Sequence, residues 1–234
     1  MDTVHPVGRT TRRAADGDRT PALGTVAREH LHRPTVWVLA GLTVAALAAR
    51  LAVGGWTRGD ALLVVLQVGS FPLVEWVLHT ALLHWRPRRV GSVTLDPLVA
   101  RKHREHHADP RDPDLVFIPM PTLVLAVAAT LGIGLLAFPR PGLGLTFVLV
   151  QGLLGSVYEW THHLVHTDYR PRTRLVRAIR THHRLHHYKN ERYWFTVTTS
   201  GTADRLLRTA PHPSQVPTSP TARDLHGLEA SSAS

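Results

Sequence analysis

Four stretches of this chain are each long and apolar enough to cross a bilayer, and that constrains the fold more than any other feature. Thr35–Val53 runs for 19 residues with one charge, Arg50, near its far end. At about 1.5 Å per residue it reaches roughly 28 Å, the thickness of a hydrocarbon core. The second run is Ala61–Leu83; the third lies within Leu115–Phe138, begins near Pro119 or Pro121 and carries no charge; the fourth extends from Leu143 to about Val165. Buried helices of a soluble protein are the competing reading. A chain of 234 residues leaves too little amphipathic helix to cover four such runs. The expected fold is therefore all-α and integral to the membrane, with four transmembrane helices. The 34 residues before the first span are long for the basic region of a cleaved signal, so an uncleaved anchor is expected.

Charge orients the spans. Lys and Arg number 27 against 17 Asp and Glu, and 24 of the 27 fall in residues 1–34, 85–114 and 167–234. Only Arg50, Arg58 and Arg140 lie elsewhere. The excess of positive charge on one side predicts that both termini and the ends of spans two and four face the cytoplasm. Because this charge comes in blocks between apolar runs rather than along one polar face, no nucleic acid partner is expected. The absence of cysteine excludes disulfides and thiolate metal sites. Residues 1–34 have no apolar period and read as a disordered cytosolic arm. Residues 35–209 form the membrane domain, and 210–234, rich in Pro, Ser and Thr, read as a disordered tail.

Of 17 histidines, twelve fall in four clusters at the cytoplasmic ends of spans two and four and in the basic segments that follow. They are His79 and His84; His103, His106 and His107; His162, His163 and His166; and His182, His183, His186 and His187. Spacings of three and four share a helix face, so each HxxHH set is expected to aim at one point. His79 and His84 fit less well, because five residues turn about 140° around a regular helix. Either the helix loosens there or the two serve different metals. Imidazole suits iron, zinc and copper, and ten or more imidazoles exceed one ion's shell, so two metals are implied in a histidine-rich helical cap. Glu75 and Glu159, each in a Glu-Trp pair three or four residues before a cluster histidine, are expected either to accept the second ring proton of a ligand or to pair with Arg at a helix end. His163 and His182 are surplus to the pattern and read as outer partners. Trp76, Trp85, Trp160, Trp194 and Tyr193 read as interface aromatics.

The four histidine segments, EWVLHTALLH, KHREHHADPRDPD, YEWTHHLVH and HRLHHYKN followed by FTVTTSGTADRLLRT, make the chain similar to the fatty acid hydroxylase superfamily over about residues 70–209. This group of integral membrane di-iron proteins includes sterol desaturases and fatty acid 2-hydroxylases. HHADPRDPDLVFIPMP and HHYKN resemble the 2-hydroxylase branch. The chain departs from the pattern at His163, at a glycine missing near Phe195 and at Ala203. The resemblance implies ten ligands: His79, His84, His103, His106, His107, His162, His166, His183, His186 and His187. It implies two iron ions, O2 as co-substrate and hydroxylation of a lipid acyl chain of the membrane; zinc accepts the same ligands and could occupy purified protein. The HPVG at residues 5–8 is similar to the histidine motif of a haem-binding donor domain fused to eukaryotic relatives. Thirty-four residues cannot build that core. Electrons are thus expected from a separate protein, a reductase with a ferredoxin or b-type cytochrome. The same metals would serve a lipid or sterol desaturase or a carotenoid hydroxylase. A non-enzymatic histidine-rich metal carrier or a bis-histidine haem cytochrome fits less well, since the third span is uncharged and the histidines gather at one face.

Overall fold

The computed structural model describes residues 20–227. Its long helices are α2 (Pro34–Val53), α3 (Arg58–Leu78), α6 (Met120–Leu136) and α7 (Pro141–His166). All four apolar runs are helical, and each is long and apolar enough to cross a membrane. Pro34 and Pro141 open α2 and α7, where a missing N–H costs nothing. Thr57 and Asp60 cap α3 reciprocally, with Thr57 N donating to Asp60 Oδ2 at 2.8 Å. Leu135 and Leu136 are 78% and 87% exposed, and the outer faces of α2, α3 and α6 carry many more such side chains. An apolar girdle of this extent suits lipid rather than water.

Helix α7 is the central member, packed against α2, α3 and α6. Small residues let it approach closely. A Cβ on Gly144 would stand 1.8 Å from Gly134 O of α6, and one on Gly152 would meet Thr43 Oγ1 of α2 at 2.5 Å. Gly144→Ala is therefore expected to force α6 and α7 apart at a cost of at least about 1–3 kcal/mol, read as a lower unfolding temperature in detergent. The single charge of the first run is paired: Arg50, 0% exposed, donates to Asp60 Oδ1 at 3.0 Å and to Thr146 Oγ1 at 2.9 Å. This joins α2, α3 and α7 at the end opposite the histidines.

At the histidine end, α3 continues as a π-helical turn, His79–Leu83. A two-stranded hairpin follows, β1 (Arg88–Val90) and β2 (Val93–Leu95), paired antiparallel with Arg88 opposite Leu95. Then come α4 (Leu98–Ala108), α5 (Pro113–Val116), α8 (Arg174–Tyr188) and α9 (Thr202–Leu206). In α8 the histidines at 182, 183, 186 and 187 are buried while Arg174 and Arg177 are exposed, so one amphipathic helix roofs the bundle.

Two expected boundaries change among the described residues. The arm is helical from Leu23 to Leu31 (α1), with Val26 and His30 buried; its apolar contacts come from α7 and the 117 region, which the local sequence does not disclose. Residues 1–19, with the HPVG motif, lie outside the described residues. The tail, too, is ordered through residue 227: Val216, Ala222 and Leu225 are buried. Its composition suggested solvation, but three apolar residues find a surface to cover. Residues 228–234 lie outside the described part.

Candidate metal centre

The ten expected ligands form two groups, each with one nitrogen per ring and all five nitrogens within 4.8 Å of one another. His79, His84, His103, His107 and His186 make one; His106, His162, His166, His183 and His187 make the other. The groups adjoin, with the His107 and His187 ring centroids 4.2 Å apart. His163 and His182 belong to neither.

Neither HxxHH set aims at one point, contrary to expectation. Residues i and i+4 differ by about 40° around a helix, but the residue at i+3 lies roughly 100° from i+4. In α4, His103 and His107 serve the first group while His106 turns to the second. In α8 the roles are exchanged: His183 and His187 serve the second and His186 crosses to the first. Each helix thus contributes to both groups. The awkward spacing of His79 and His84 is resolved by the π turn, whose wider winding brings residues five apart onto one side, with His84 N donating to His79 O at 3.0 Å.

Backbone carbonyls hold the rings. The Nδ1–H of His79 donates to Phe195 O (2.5 Å), that of His107 to Ala222 O (2.8 Å), that of His162 to Val116 O (2.8 Å) and that of His186 to Tyr193 O (2.8 Å). Each such bond leaves Nε2 as a lone pair. His186 Nε2 and His107 Nε2 then face each other at 3.2 Å with no proton for either. His162 Nε2 is buried with no partner. Burial, reinforced by neighbouring imidazoles, holds His84, His103, His106, His183, His186 and His187 well below the ordinary histidine value, and burial takes His107 down to about 3. Neutral rings with converging lone pairs repel unless a cation lies between them. The donor set, nitrogen only and borderline in softness, fits iron or zinc.

The expected role of the two glutamates is corrected. Neither accepts from an imidazole. Glu75 accepts from Thr198 N (3.0 Å) and Thr198 Oγ1 (2.8 Å); Glu159 accepts from Ile118 N (3.1 Å) and Thr35 Oγ1 (2.9 Å). They fasten the two loops whose carbonyls, Phe195 O and Val116 O, hold His79 and His162. The carboxylates act one step further out because the ring protons are already taken by the backbone. His163 stacks on His30 at 5.5 Å and lies 5.1 Å from the Phe117 ring. His182 Nε2 donates to Asp204 Oδ2 at 2.9 Å.

Asp204 was given no role in the sequence reading. It is fully buried and also accepts from Phe195 N (2.8 Å), Thr196 N (2.9 Å), Thr196 Oγ1 (2.6 Å) and Thr209 Oγ1 (2.8 Å). One carboxylate therefore shapes the loop that presents Phe195 O to His79. The signal that could have found it was its place in the FTVTTSGTADRLLRT segment, next to the departure at Ala203. Trp194, in the same loop, is 2% exposed with φ 59°, so it is packed inside rather than at a membrane interface.

Beneath the histidines lies a cavity of about 340 Å³ between α2, α3, α6 and α7. Its walls are almost wholly apolar, with Leu123, Ala126 and Val127 on α6 and Phe71 and Leu78 on α3. Its polar end meets both groups, through His79 and His103 of the first and His162 of the second, beside Tyr158.

A family model, Fatty acid hydroxylase, matches residues 64–209. The fatty acid 2-hydroxylase of Rattus norvegicus is 31% identical over 139 residues, and that of Homo sapiens 30% over 137. These alignments take in 58% and 57% of this chain but only 36% of each relative, so the chain matches about a third of their length. A solved structure of full-length Scs7p, with only its hydroxylase domain visible, superposes with a TM-score of 0.63 at 21% identity over 79% of this chain and 69% of that one. That likeness concerns the fold.

Proposed function

This chain belongs to the fatty acid hydroxylase family, and from that premise we propose that it hydroxylates the acyl chain of a membrane lipid at a pair of histidine-held iron ions. The observation that carries the proposal is the meeting of an apolar cavity with the lone pairs of two imidazole groups at one end. His79, His84, His103, His107 and His186 would hold one ion, and His106, His162, His166, His183 and His187 the other. Bound there, the irons would supply the redox chemistry that splits O2, one oxygen entering the C–H bond and the other leaving as water with two protons and two electrons. A separate reductase with a ferredoxin or b-type cytochrome would provide those electrons.

The chain's own residues bind, orient and exclude water. Phe71, Leu78, Leu123 and Val127 would line the acyl chain and keep the reacting carbon dry. The carbonyls at 116, 193, 195 and 222 fix ring tautomers and direction, Glu159 holds the segment that carries the carbonyl at 116, and Glu75 and Asp204, the latter paired with His182, hold the loop that carries the one at 195. The uneven distribution of Lys and Arg supports a cytoplasmic site, where a soluble donor reaches it.

The test is mass spectrometry of total lipids from a host expressing the wild type beside an empty host. Acyl species heavier by one oxygen are expected, and fragmentation then gives the position. Species lighter by two hydrogens would replace hydroxylation by desaturation, which the same histidine set accommodates. Neither product, in a protein that binds no metal, would defeat both readings.

A further inference from the structure

Residues 211–227 turn back over the histidine end, beyond the last residue that the family model matches. The segment is stitched down along its length. Ser219 N donates to Lys189 O (2.8 Å), Thr221 Oγ1 to Glu191 Oε1 (2.7 Å) and Arg223 Nη2 to Ala108 O (2.6 Å). Leu225, 2% exposed, anchors the end. Two contacts then reach the ligands themselves. Ala222 O accepts from His107 Nδ1 at 2.8 Å, and His226 Nε2 donates to His84 O at 3.2 Å. Arg86 Nε donates to His226 Nδ1 at 3.3 Å, which sets the tautomer this needs. His226 holds a left-handed φ of 75°, a conformation an L side chain adopts only when its surroundings impose it.

His84 and His107 both belong to the first histidine group, and no hydrogen bond recorded among the described residues joins this segment to the second. We propose that residues 216–227 form a strap that positions His107 and the backbone at His84, and so sets how tightly the first group, and not the second, retains its ion. This rests on the two-ion reading above. A carbonyl on Nδ1 fixes the direction of the ring and raises the basicity of Nε2. Because the strap crosses no span, it can loosen without disturbing the bundle, and loosening frees His107 alone among the ligands held by a carbonyl.

The test uses the full-length protein in detergent, loaded with Zn2+, with ions counted per chain and their release to a colorimetric chelator followed in time. Wild type is expected to hold two ions. In Leu225→Asp, and in Arg223→Ala, whose side chain is exposed and whose loss spares the core, one ion is expected to leave about 10-fold faster or more while the other keeps its wild-type rate. Leu225→Met should behave as wild type. Wild-type release of both ions from both variants overturns the strap, as does equal acceleration of the two ions in Arg223→Ala. A wild type that holds fewer than two ions overturns the two-ion reading itself, and the strap's role with it.

Discussion

His106→Ala and His186→Ala are each expected to abolish the hydroxylated product. The loss should exceed the roughly 10- to 100-fold that follows removal of an outer partner, because a direct ligand goes. The two variants attack different ions, since His186 crosses from α8 to the first group and His106 from α4 to the second. Each variant should lose one of two metal equivalents, measured by elemental analysis, and neither should lose both. Membrane insertion is expected to be intact, since α4 and α8 lie outside the four spans. Wild-type product in either variant would sink the requirement for two ions. Loss of both ions from each would show instead that the groups bind as one unit.

Asp204→Ala is expected to be the most damaging change outside the histidines. It strands the His182 ring, two backbone N–H groups and two hydroxyls that now share one buried carboxylate. Leaving such groups unpaired costs on the order of 3–5 kcal/mol in total. The Phe195 carbonyl then no longer holds His79, so product should fall about 10- to 100-fold even in the fraction that folds. Asp204→Asn, which keeps one acceptor oxygen, should fall between the two.

The acid behaviour carries the same signature. Burial pushes the Asp204 carboxyl up, but hydrogen bonds from His182 and Thr196 outweigh it and hold the group well below its ordinary 3.8. A depressed value in the folded state stabilises fully above the unfolded value, and that stability disappears as pH falls through the folded one. The stability gap between wild type and Asp204→Asn should therefore be largest above about pH 5 and narrow below pH 4. Denaturant melts in detergent at stepped pH measure this. A gap that stays constant down to pH 3 would show that the carboxylate's charge is not what holds the loop.

Much of the architecture was legible because it is local. A largely apolar run of 19 residues with a single charge has few fates, and Thr35–Val53 and its three counterparts are helices of spanning length. The histidine spacings were legible only in part: His103 and His107, and His183 and His187, four apart, do share a group, but His106 and His186 turn to the other one. The tail misled, because Pro, Ser and Thr speak for solvent unless a distant surface awaits the few apolar residues among them. Leu225 found one. Asp204 was silent, because a carboxylate's importance lies in the donors that converge on it, and those at 182, 195, 196 and 209 come from three pieces of chain.

By itself, then, the sequence determined the four apolar spans through composition and the family through its motifs, and it raised the expectation of ten converging imidazoles around two ions. The tertiary structure alone decided how those imidazoles divide. His84 meets His186, 102 residues away, across 3.2 Å, and His106 meets His166 across 3.2 Å. A helix can bring its own i and i+4 residues to one side. Which partner the residue at i+3 meets depends on how separate helices are placed against one another, as His106 of α4 meets His166 of α7 and His186 of α8 meets His84 beyond the π turn.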